Sequence, residues 1–218
     1  MAQAVLPARH NAAMETFTGW HTWAGAAPAL RRLLPAETVA DLARAVDFAT
    51  AHHGDQRRKT GAPYLEHLLE AVQILVEGAG VTSRDVLVAA VLHDVVEDTP
   101  CTLPDVSDAF GPRVAELVGW VTIPGPRPGE DPGTVKENYL RGLAAAPADA
   151  VLVKLADRAS NVQTLRNLSL DGQRAYYAQT VTHVVPLAAA QPWFAAWYAG
   201  WQSEFADLAE GGQPATPG

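Results

Sequence analysis

The segment TSRDVLVAAVLHDVVEDT, residues 82–99, restricts the fold of this chain more than any other segment. It opens with a Thr-Ser cap and is apolar on nearly every side, which is typical of a helix at the centre of a bundle. Its last third nevertheless carries His93, Asp94, Glu97 and Asp98. Burial of four such groups is costly unless something compensates for their lost hydration. The segment therefore predicts a core helix and a ligand that its polar side chains bind.

Helical periodicity continues through most of the remaining sequence. Apolar residues share one face in PAETVADLARAVDFATAHH after Pro35, and the next helix is expected to stop at Gly78 and Gly80. Gly111-Pro112 divides a later helical stretch into two short helices. The strongest interruption is IPGPRPGEDPG, residues 123–133, which predicts a loop at the rim of a site or a lid over it. Strand patterns are almost absent, so the predicted fold class is all-α.

The chain has 218 residues, of which 48% are apolar, enough for one hydrophobic core. We expect a single helical-bundle domain at residues 36–210. Residues 1–35 are expected to form a partly helical N-terminal extension, and the tail GGQPATPG, residues 211–218, is expected to be disordered.

Composition excludes several classes of protein. With 16 Lys and Arg against 24 Asp and Glu, the net charge of −8 argues against nucleic-acid binding. A metal and a few local cations can still hold an anionic substrate. The single cysteine, Cys101, permits neither an intrachain disulfide nor a Cys-rich zinc module. Neither a signal peptide nor an apolar run of membrane-spanning length is evident, so we expect a cytoplasmic protein without membrane contact.

Three segments carry side chains suited to a divalent metal. His93 and Asp94 lie in the central segment, Asp157 follows an apolar run in VKLADRASN, and His67 lies in PYLEHLLEA. Two histidines and two aspartates from three helices suit an ion that accepts both nitrogen and oxygen ligands, such as Mn²⁺, Fe²⁺ or Zn²⁺. The sequence therefore predicts a metal site, which would explain why these groups are buried together.

Further polar residues occur at helical spacing from these ligands. Glu97 and Asp98 stand four residues after His93 and Asp94, and are expected to act on a water as general base or acid. Asn161 and Thr164 stand four and seven residues after Asp157.

A basic cluster precedes His67 in GDQRRKTGAPY, where Arg57, Arg58 and Lys59 are consecutive in an acidic protein. It is either a solvated helix end or an anion clamp, in which an arginine can also stack on a base.

Each of these residues alone has an ordinary structural explanation. His67 could be a surface histidine, and Asp157 could pair with Arg158 in a salt bridge. Glu97 and Asp98 could simply end a helix, although acids there oppose the helix dipole. His53 is the nearest rival to His67 as a ligand. The metal hypothesis therefore depends on the residues occurring together in this order and spacing.

Taken together, HHGDQRRKTGAPYLEH, VLHDVVEDT and VKLADRASNVQTL resemble the HD-superfamily hydrolase domain of RelA/SpoT-type alarmone enzymes, including their stand-alone small alarmone hydrolases. The resemblance runs in order from about residue 47 to about residue 170. It implies a single HD-domain helical bundle that removes the 3′-pyrophosphate of (p)ppGpp, giving GDP or GTP and pyrophosphate. It also implies Mn²⁺ as the cofactor. The family's synthetase domain is not expected in 218 residues.

The resemblance also assigns roles residue by residue. It implies the following set: metal ligands His67, His93, Asp94 and Asp157; catalytic residues Glu97 and Asp98; and substrate-binding residues Arg58, Lys59, Tyr64, Asn161 and Thr164. Arg58 would pack on the guanine base. The sequence departs from the family at Leu68, where proline is usual, and at Ala159-Ser160. We expect Ser160 and Ile123 to line or border the nucleotide pocket.

Two alternatives stay open at this point. The same site could act on another nucleotide, such as NADPH as a 2′-phosphatase, or on a nucleoside monophosphate. The chain could instead be an antitoxin-type binding partner of a toxic alarmone synthetase. Trp193, Trp197 and Trp201, each four residues apart, form a stripe that either closes the core or makes a homo-oligomer face.

Overall fold

The structure, a computed structural model, describes residues 14–58 and 61–209. Its helices are α1 (Trp23–Leu33), α2 (Ala36–His53), α3 (Tyr64–Gln73), α4 (Arg84–Leu92), α5 (Val95–Asp98), α6 (Leu103–Phe110), α7 (Pro112–Val121), α8 (Pro132–Gly142), α9 (Ala148–Val162), α10 (Leu170–Gln179) and α11 (Pro192–Glu204). Short π-helical and 3-10 turns extend several of them. These two ranges contain no strand, which confirms the all-α prediction. The predicted tail, residues 211–218, and the first thirteen residues of the extension lie outside the described residues.

Helix α4 lies at the centre of the bundle. Each residue from 86 to 92 is fully buried, and the helix packs against α2, α3, α7 and α9. A helix that is apolar all round needs neighbours on every side, and α4 has them. The predicted core helix is confirmed.

The prediction of one continuous helix through residue 99 is wrong. Helix α4 ends at Leu92, and α5 begins only at Val95. His93 Nδ1 lies 2.8 Å from the carbonyl oxygen of Ala90, the group that would accept the Asp94 amide in an uninterrupted helix. Neighbouring side chains do not face each other on a regular helix. The break allows His93 and Asp94 to converge, with Nε2 and Oδ2 3.1 Å apart.

Two glycines stand where a side chain would be unfavourable, one because of its backbone conformation and one because of a close neighbour. Gly111, with a φ of 96°, separates α6 from α7, as predicted from Gly111-Pro112. A Cβ on Gly78 would lie 2.4 Å from the indole ring of Trp193, so this glycine lets α11 approach the turn that follows α3.

The residues before α1 pack onto the back of the bundle. The Phe17 amide donates to Gln163 Oε1 at 2.8 Å, and Gln163 Nε2 donates to the Phe17 carbonyl at 3.0 Å. Trp197 Nε1 donates to the carbonyl of Glu15 at 2.8 Å. Trp197 and Trp201 are buried, so the tryptophan stripe closes the core.

The predicted loop at residues 123–133 is found with a small change at its end. Residues 123–131 are not helical, whereas Pro132 and Gly133 form the first turn of α8. Asp131 caps this helix by accepting the Thr134 amide at 2.7 Å. Among the described helices, none combines the length and apolar character that crossing a membrane requires.

Candidate active site

Helices α3 and α9 and the end of α4 bring three predicted ligands to one point. His67 Nε2 lies 3.0 Å from His93 Nε2, and Asp157 Oδ1 lies 3.4 and 3.5 Å from these two nitrogens. All three residues are buried and could hold a metal ion. Asp94 joins them from the break after α4, with Oδ2 3.5 Å from His67 Nε2.

The tautomers of the two histidines follow from their outer partners. His93 Nδ1 faces the Ala90 carbonyl, which can only accept, so Nδ1 carries the hydrogen. Ser160 donates its hydroxyl hydrogen to Glu70, so its oxygen accepts from His67 Nδ1 at 2.8 Å. In the neutral rings both Nε2 atoms therefore present lone pairs to each other. A shared cation makes this arrangement favourable.

The spacing of these atoms fits a metal. Ligands at about 2.1 Å from an ion lie about 3.0 to 3.4 Å from one another in octahedral or tetrahedral geometry. The separations that involve His67 and His93 run from 3.0 to 3.5 Å. Two imidazoles with carboxylates form a mixed nitrogen and oxygen set that suits a divalent transition metal.

The carboxylates of the cluster have their own supporting partners. Asp157 Oδ2 accepts from the buried Lys154 ammonium at 2.8 Å, and its Oδ1 accepts from Asn161 Nδ2 at 2.7 Å. The Tyr64 hydroxyl donates to Asp94 Oδ2. Burial of Tyr64, together with the charge of Asp94, raises the pKa of this phenol, so Tyr64 remains a donor.

The charged groups of the cluster shift one another's pKa values, upward for the histidine and downward for the aspartate. Burial acts to lower the pKa of His93, but Asp94 and Asp157 outweigh burial and raise it well above 6.5. Burial acts to raise the pKa of Asp157, but Lys154 and the two histidines hold it well below 3.8. In the absence of a metal the cluster therefore attracts protons, and a divalent cation would replace them.

The acidic pair lies at the open side of the cluster. Glu97 Oε2 accepts the Ile123 amide at 2.8 Å, and Asp98 Oδ2 accepts from Gln56 Nε2 at 3.0 Å. Partial burial raises the pKa of Glu97. Gln56 is held in turn by His53 Nδ1 at 2.7 Å, and the rival ligand His53 is not part of the group that could hold a metal ion.

A cavity of about 280 Å³ adjoins the cluster through His67 and Asn161. It is lined by Arg57, Arg58, Tyr64, His67, Asn161, Thr164, Asn167, Leu168 and Tyr176. Four of the predicted substrate-binding residues therefore share one cavity, and the fifth, Lys59, lies outside the described residues. Their roles stay predictions. A larger and mainly apolar cavity, about 520 Å³ between α7 and α8, contains none of the predicted site residues.

Ser160 was expected to line or border the nucleotide pocket, and it does not line the cavity. Its exposed fraction is 0%, and it lies behind His67 rather than on the cavity wall. The small side chain leaves room for the hydroxyl to bridge His67 and Glu70. Ile123 is not among the residues that line the cavity, but its amide contacts Glu97.

Sequence reasoning missed three supporting residues, namely Gln56, Glu70 and Lys154. A weak signal was present for two of them. Lys154 interrupts an apolar run three residues before Asp157, and Glu70 interrupts another three residues after His67. Spacing of three places each on the face of its ligand. The contact of Gln56 with Asp98 spans 42 positions and had no local signal.

Comparison with known proteins agrees with this geometry. A family model described as HD domain matches residues 45–193. Guanosine-3′,5′-bis(diphosphate) 3′-pyrophosphohydrolase of Aquifex aeolicus is 37% identical over 150 residues, which cover 68% of this chain and 21% of that protein. The pyrophosphohydrolase MESH1 of Homo sapiens is 38% identical over 148 residues, covering 65% of this chain and 78% of that protein.

A solved structure gives the same result for the fold. The structure described as a metazoan ortholog of SpoT that hydrolyzes ppGpp superposes with a TM-score of 0.69 at 28% identity. The match covers 76% of this chain and 96% of that one. The chain spans only about a fifth of the length of the first curated relatives it matches, 21% and 23%. From the matched HD domain and the human relative, this chain belongs to the HD-domain family.

Proposed function

We propose that this protein hydrolyses the 3′-pyrophosphate of (p)ppGpp, giving GDP or GTP and pyrophosphate. The observation that carries the proposal is the pair of Nε2 atoms 3.0 Å apart, beside two carboxylates and at the edge of a cavity that contains Arg58. The printed names of the relatives support the choice of substrate. The human relative gives the most direct support, since the chain covers most of its length.

HD-domain hydrolases depend on divalent metals, and His67, His93 and Asp157 form a group able to hold one. We infer that the ion is Mn²⁺ and that Asp94 is the fourth ligand. The ion would act as a Lewis acid that makes water a stronger nucleophile. Lys154 and Asn161 orient Asp157, while Tyr64 orients Asp94, so each aspartate presents an oxygen to the site.

The proposed proton acceptor is the acidic pair. Asp98, held by Gln56, takes the proton from the attacking water. Glu97, held by the Ile123 amide, orients that water. Both carboxylates stand on the short helix α5, which begins directly after the break at His93 and Asp94. The break therefore fixes the acidic pair relative to the ligands.

The proposed substrate contacts come from the cavity wall. Arg58 packs on the guanine, and Lys59 and Arg57 offset the phosphate charge that a protein of net charge −8 would repel. Asn161 and Thr164 contact the nucleoside. Because the Tyr64 hydroxyl is engaged by Asp94, Tyr64 offers its ring to the substrate.

Product analysis tests the proposal. Chelator-stripped protein is incubated with ppGpp, with and without Mn²⁺, and the products are separated. Release of GDP and intact pyrophosphate only with Mn²⁺ is the expected result. Hydrolysis of NADPH or a nucleoside monophosphate in place of ppGpp would contradict the substrate while leaving the metal site standing.

Three further expectations remain predictions: a cytoplasmic location, a homo-oligomer and a toxic synthetase as partner. Rescue of cells from a toxic synthetase by the Asp94→Ala variant would favour binding over hydrolysis as the basis of an antitoxin role.

A further inference from the structure

A buried relay of polar groups lies behind His67. The His67 Nδ1–H group donates to Ser160 Oγ at 2.8 Å, and the Ser160 hydroxyl donates to Glu70 Oε2 at 2.5 Å. Glu70 is 5% exposed and Ser160 is fully buried. A serine can accept one hydrogen and donate another, so the direction of both bonds follows from the carboxylate at the end of the relay.

The far end of the relay reaches the cavity wall. Arg58 Nη1 donates to Glu70 Oε2 at 2.9 Å, and this arginine lines the cavity beside His67. Gln163 Nε2 approaches the same carboxylate oxygen at 3.3 Å. One oxygen of Glu70 therefore receives hydrogen bonds from α9 and from the turn before α3.

Packing alone does not account for the relay. A buried carboxylate is costly, and an apolar side chain of similar volume often stabilises a core at least as well. The hydrogen bonds that Glu70 accepts offset this cost. They also order two groups, the Arg58 guanidinium directly and the His67 ring through Ser160. Both belong to the site, one as a proposed ligand and one as a proposed substrate contact.

We propose that Glu70 and Ser160 are positioning residues that act through His67. They hold the imidazole in the Nδ1–H tautomer with the Nε2 lone pair toward the metal, and they join this ligand to Arg58 on the cavity wall. The inference rests on the proposed function in that it takes His67 as a metal ligand. Outer partners of this kind typically contribute a factor of about 10 to 100 to metal affinity.

The first test measures Mn²⁺ binding by the full-length protein, with free Mn²⁺ counted by electron paramagnetic resonance. Ser160→Ala and Glu70→Gln should each weaken binding about 10- to 100-fold. Thr180→Val is the matched control for Ser160→Ala, because it removes a buried hydroxyl that has no hydrogen-bond partner among residues 14–58 and 61–209. Glu77→Gln controls for the loss of a carboxylate on the turn that extends α3, where Glu77 accepts a hydrogen bond from Gln73 Nε2. Both controls should bind Mn²⁺ as the wild type does.

The second test separates the relay from two independent packing effects. If Glu70 and Ser160 act along one chain of bonds, the double variant should lose little more Mn²⁺ affinity than the weaker-binding single variant. Additive losses would overturn the relay. In Zn²⁺-loaded protein, imidazole ¹⁵N spectra should show His67 protonated at Nδ1 in a hydrogen bond that Ser160→Ala removes.

The outcomes distinguish this inference from the proposed function. Unchanged Mn²⁺ affinity in folded Ser160→Ala, with an active wild type, contradicts the relay alone. A wild type that binds no divalent ion contradicts both. A wild type that binds Mn²⁺ but does not act on ppGpp, with weakened Ser160→Ala, supports the relay and overturns the substrate.

Discussion

The ligand cluster and the outer rim of the site differ in how they are held. His67, His93 and Asp157 are 3%, 1% and 6% exposed. His67 and Asp157 stand on helices that pack against the core, and His93 directly follows α4. The rim, defined as residues 56–58, 61–64, 97 and 98, is largely exposed or half-buried and includes a turn between two helices. That turn is tied by the bond from the Tyr64 amide to the Gln56 carbonyl, at 3.1 Å.

This difference corresponds to two proposed tasks, metal binding in the cluster and substrate contact on the rim. In the cluster every ligand has a second hydrogen-bond partner, which fixes its direction before any ion arrives. On the rim, the acidic pair is held by one bond to each carboxylate. The proposed metal site is therefore preorganised by the core, whereas the proposed substrate contacts depend on a few local bonds. Changes in the two regions should affect different measured quantities.

The largest expected effect is in the cluster. His93→Gln should lower Mn²⁺ occupancy to near zero and reduce turnover by about a thousandfold or more, because the ligand set is broken. Metal content and turnover check this, with His183→Gln as a matched control far from the ligands in sequence. Substantial turnover in a metal-free His93→Gln protein would contradict the assignment of metal binding to the cluster, on which the contrast with the rim depends.

Asp98→Asn should separate the acidic pair from the ligands. We expect turnover to fall by about 10²- to 10⁴-fold while Mn²⁺ affinity stays within a small factor, because only the proton acceptor is lost. The measurement pairs single-turnover kinetics with Mn²⁺ titration, and Asp108→Asn on the exposed side of α6 is the control. Full turnover in Asp98→Asn would contradict its role as proton acceptor and would assign that role to Glu97.

Arg58→Lys tests whether a change on the rim affects substrate binding without affecting metal binding. Lysine keeps the positive charge near Glu70 but loses the flat guanidinium, so KM for ppGpp should rise about tenfold with little change in Mn²⁺ affinity. Steady-state kinetics check this, with the exposed Arg141→Lys as control. A fall in kcat alone would argue against base stacking.

The smallest expected effect concerns pH and stability. The folded-state pKa of His93 lies well above 6.5, so its stabilising contribution is complete below about pH 6.5 and is lost as the pH rises through the raised pKa. Metal-free protein should therefore melt a few degrees higher at pH 6 than at pH 9. The increase in Tm caused by Mn²⁺ should show the opposite trend, because protons compete for the ligands. Thermal melts with and without metal at both values test the pair of trends.

The two regions also differ in how far the sequence predicts them. The spacing of His67, His93 and Asp157 within apolar runs predicted their convergence, because polar side chains that are buried with such runs need other polar groups as neighbours. The break at His93 and Asp94 was missed, since it depends on a bond between the His93 ring and a backbone carbonyl. Helical periodicity carries no information about such a competing acceptor.

Only a weak local signal pointed to some of the second partners. Ser160 was expected to line or border the nucleotide pocket, because the sequence departs from the family pattern at this position. Its actual place depends on the rotation of α9 against α3, which brings together residues 90 positions apart. Tertiary packing, rather than any local pattern, makes Gln56 part of the site, whereas Glu70 carried only the weak signal of a charge inside an apolar run.

The contact between Phe17 and Gln163 has a consequence for where this chain can be shortened. Gln163 holds the backbone of Phe17 on one side and approaches Glu70 on the other. A chain that started at α1 would leave the Gln163 amide without its backbone partners and would open the edge of Glu70 to water. The residues ahead of the first helix are thus connected to the proposed metal site through Gln163 and Glu70. A shortened chain should therefore retain Met14 and the residues that follow it, rather than begin at α1.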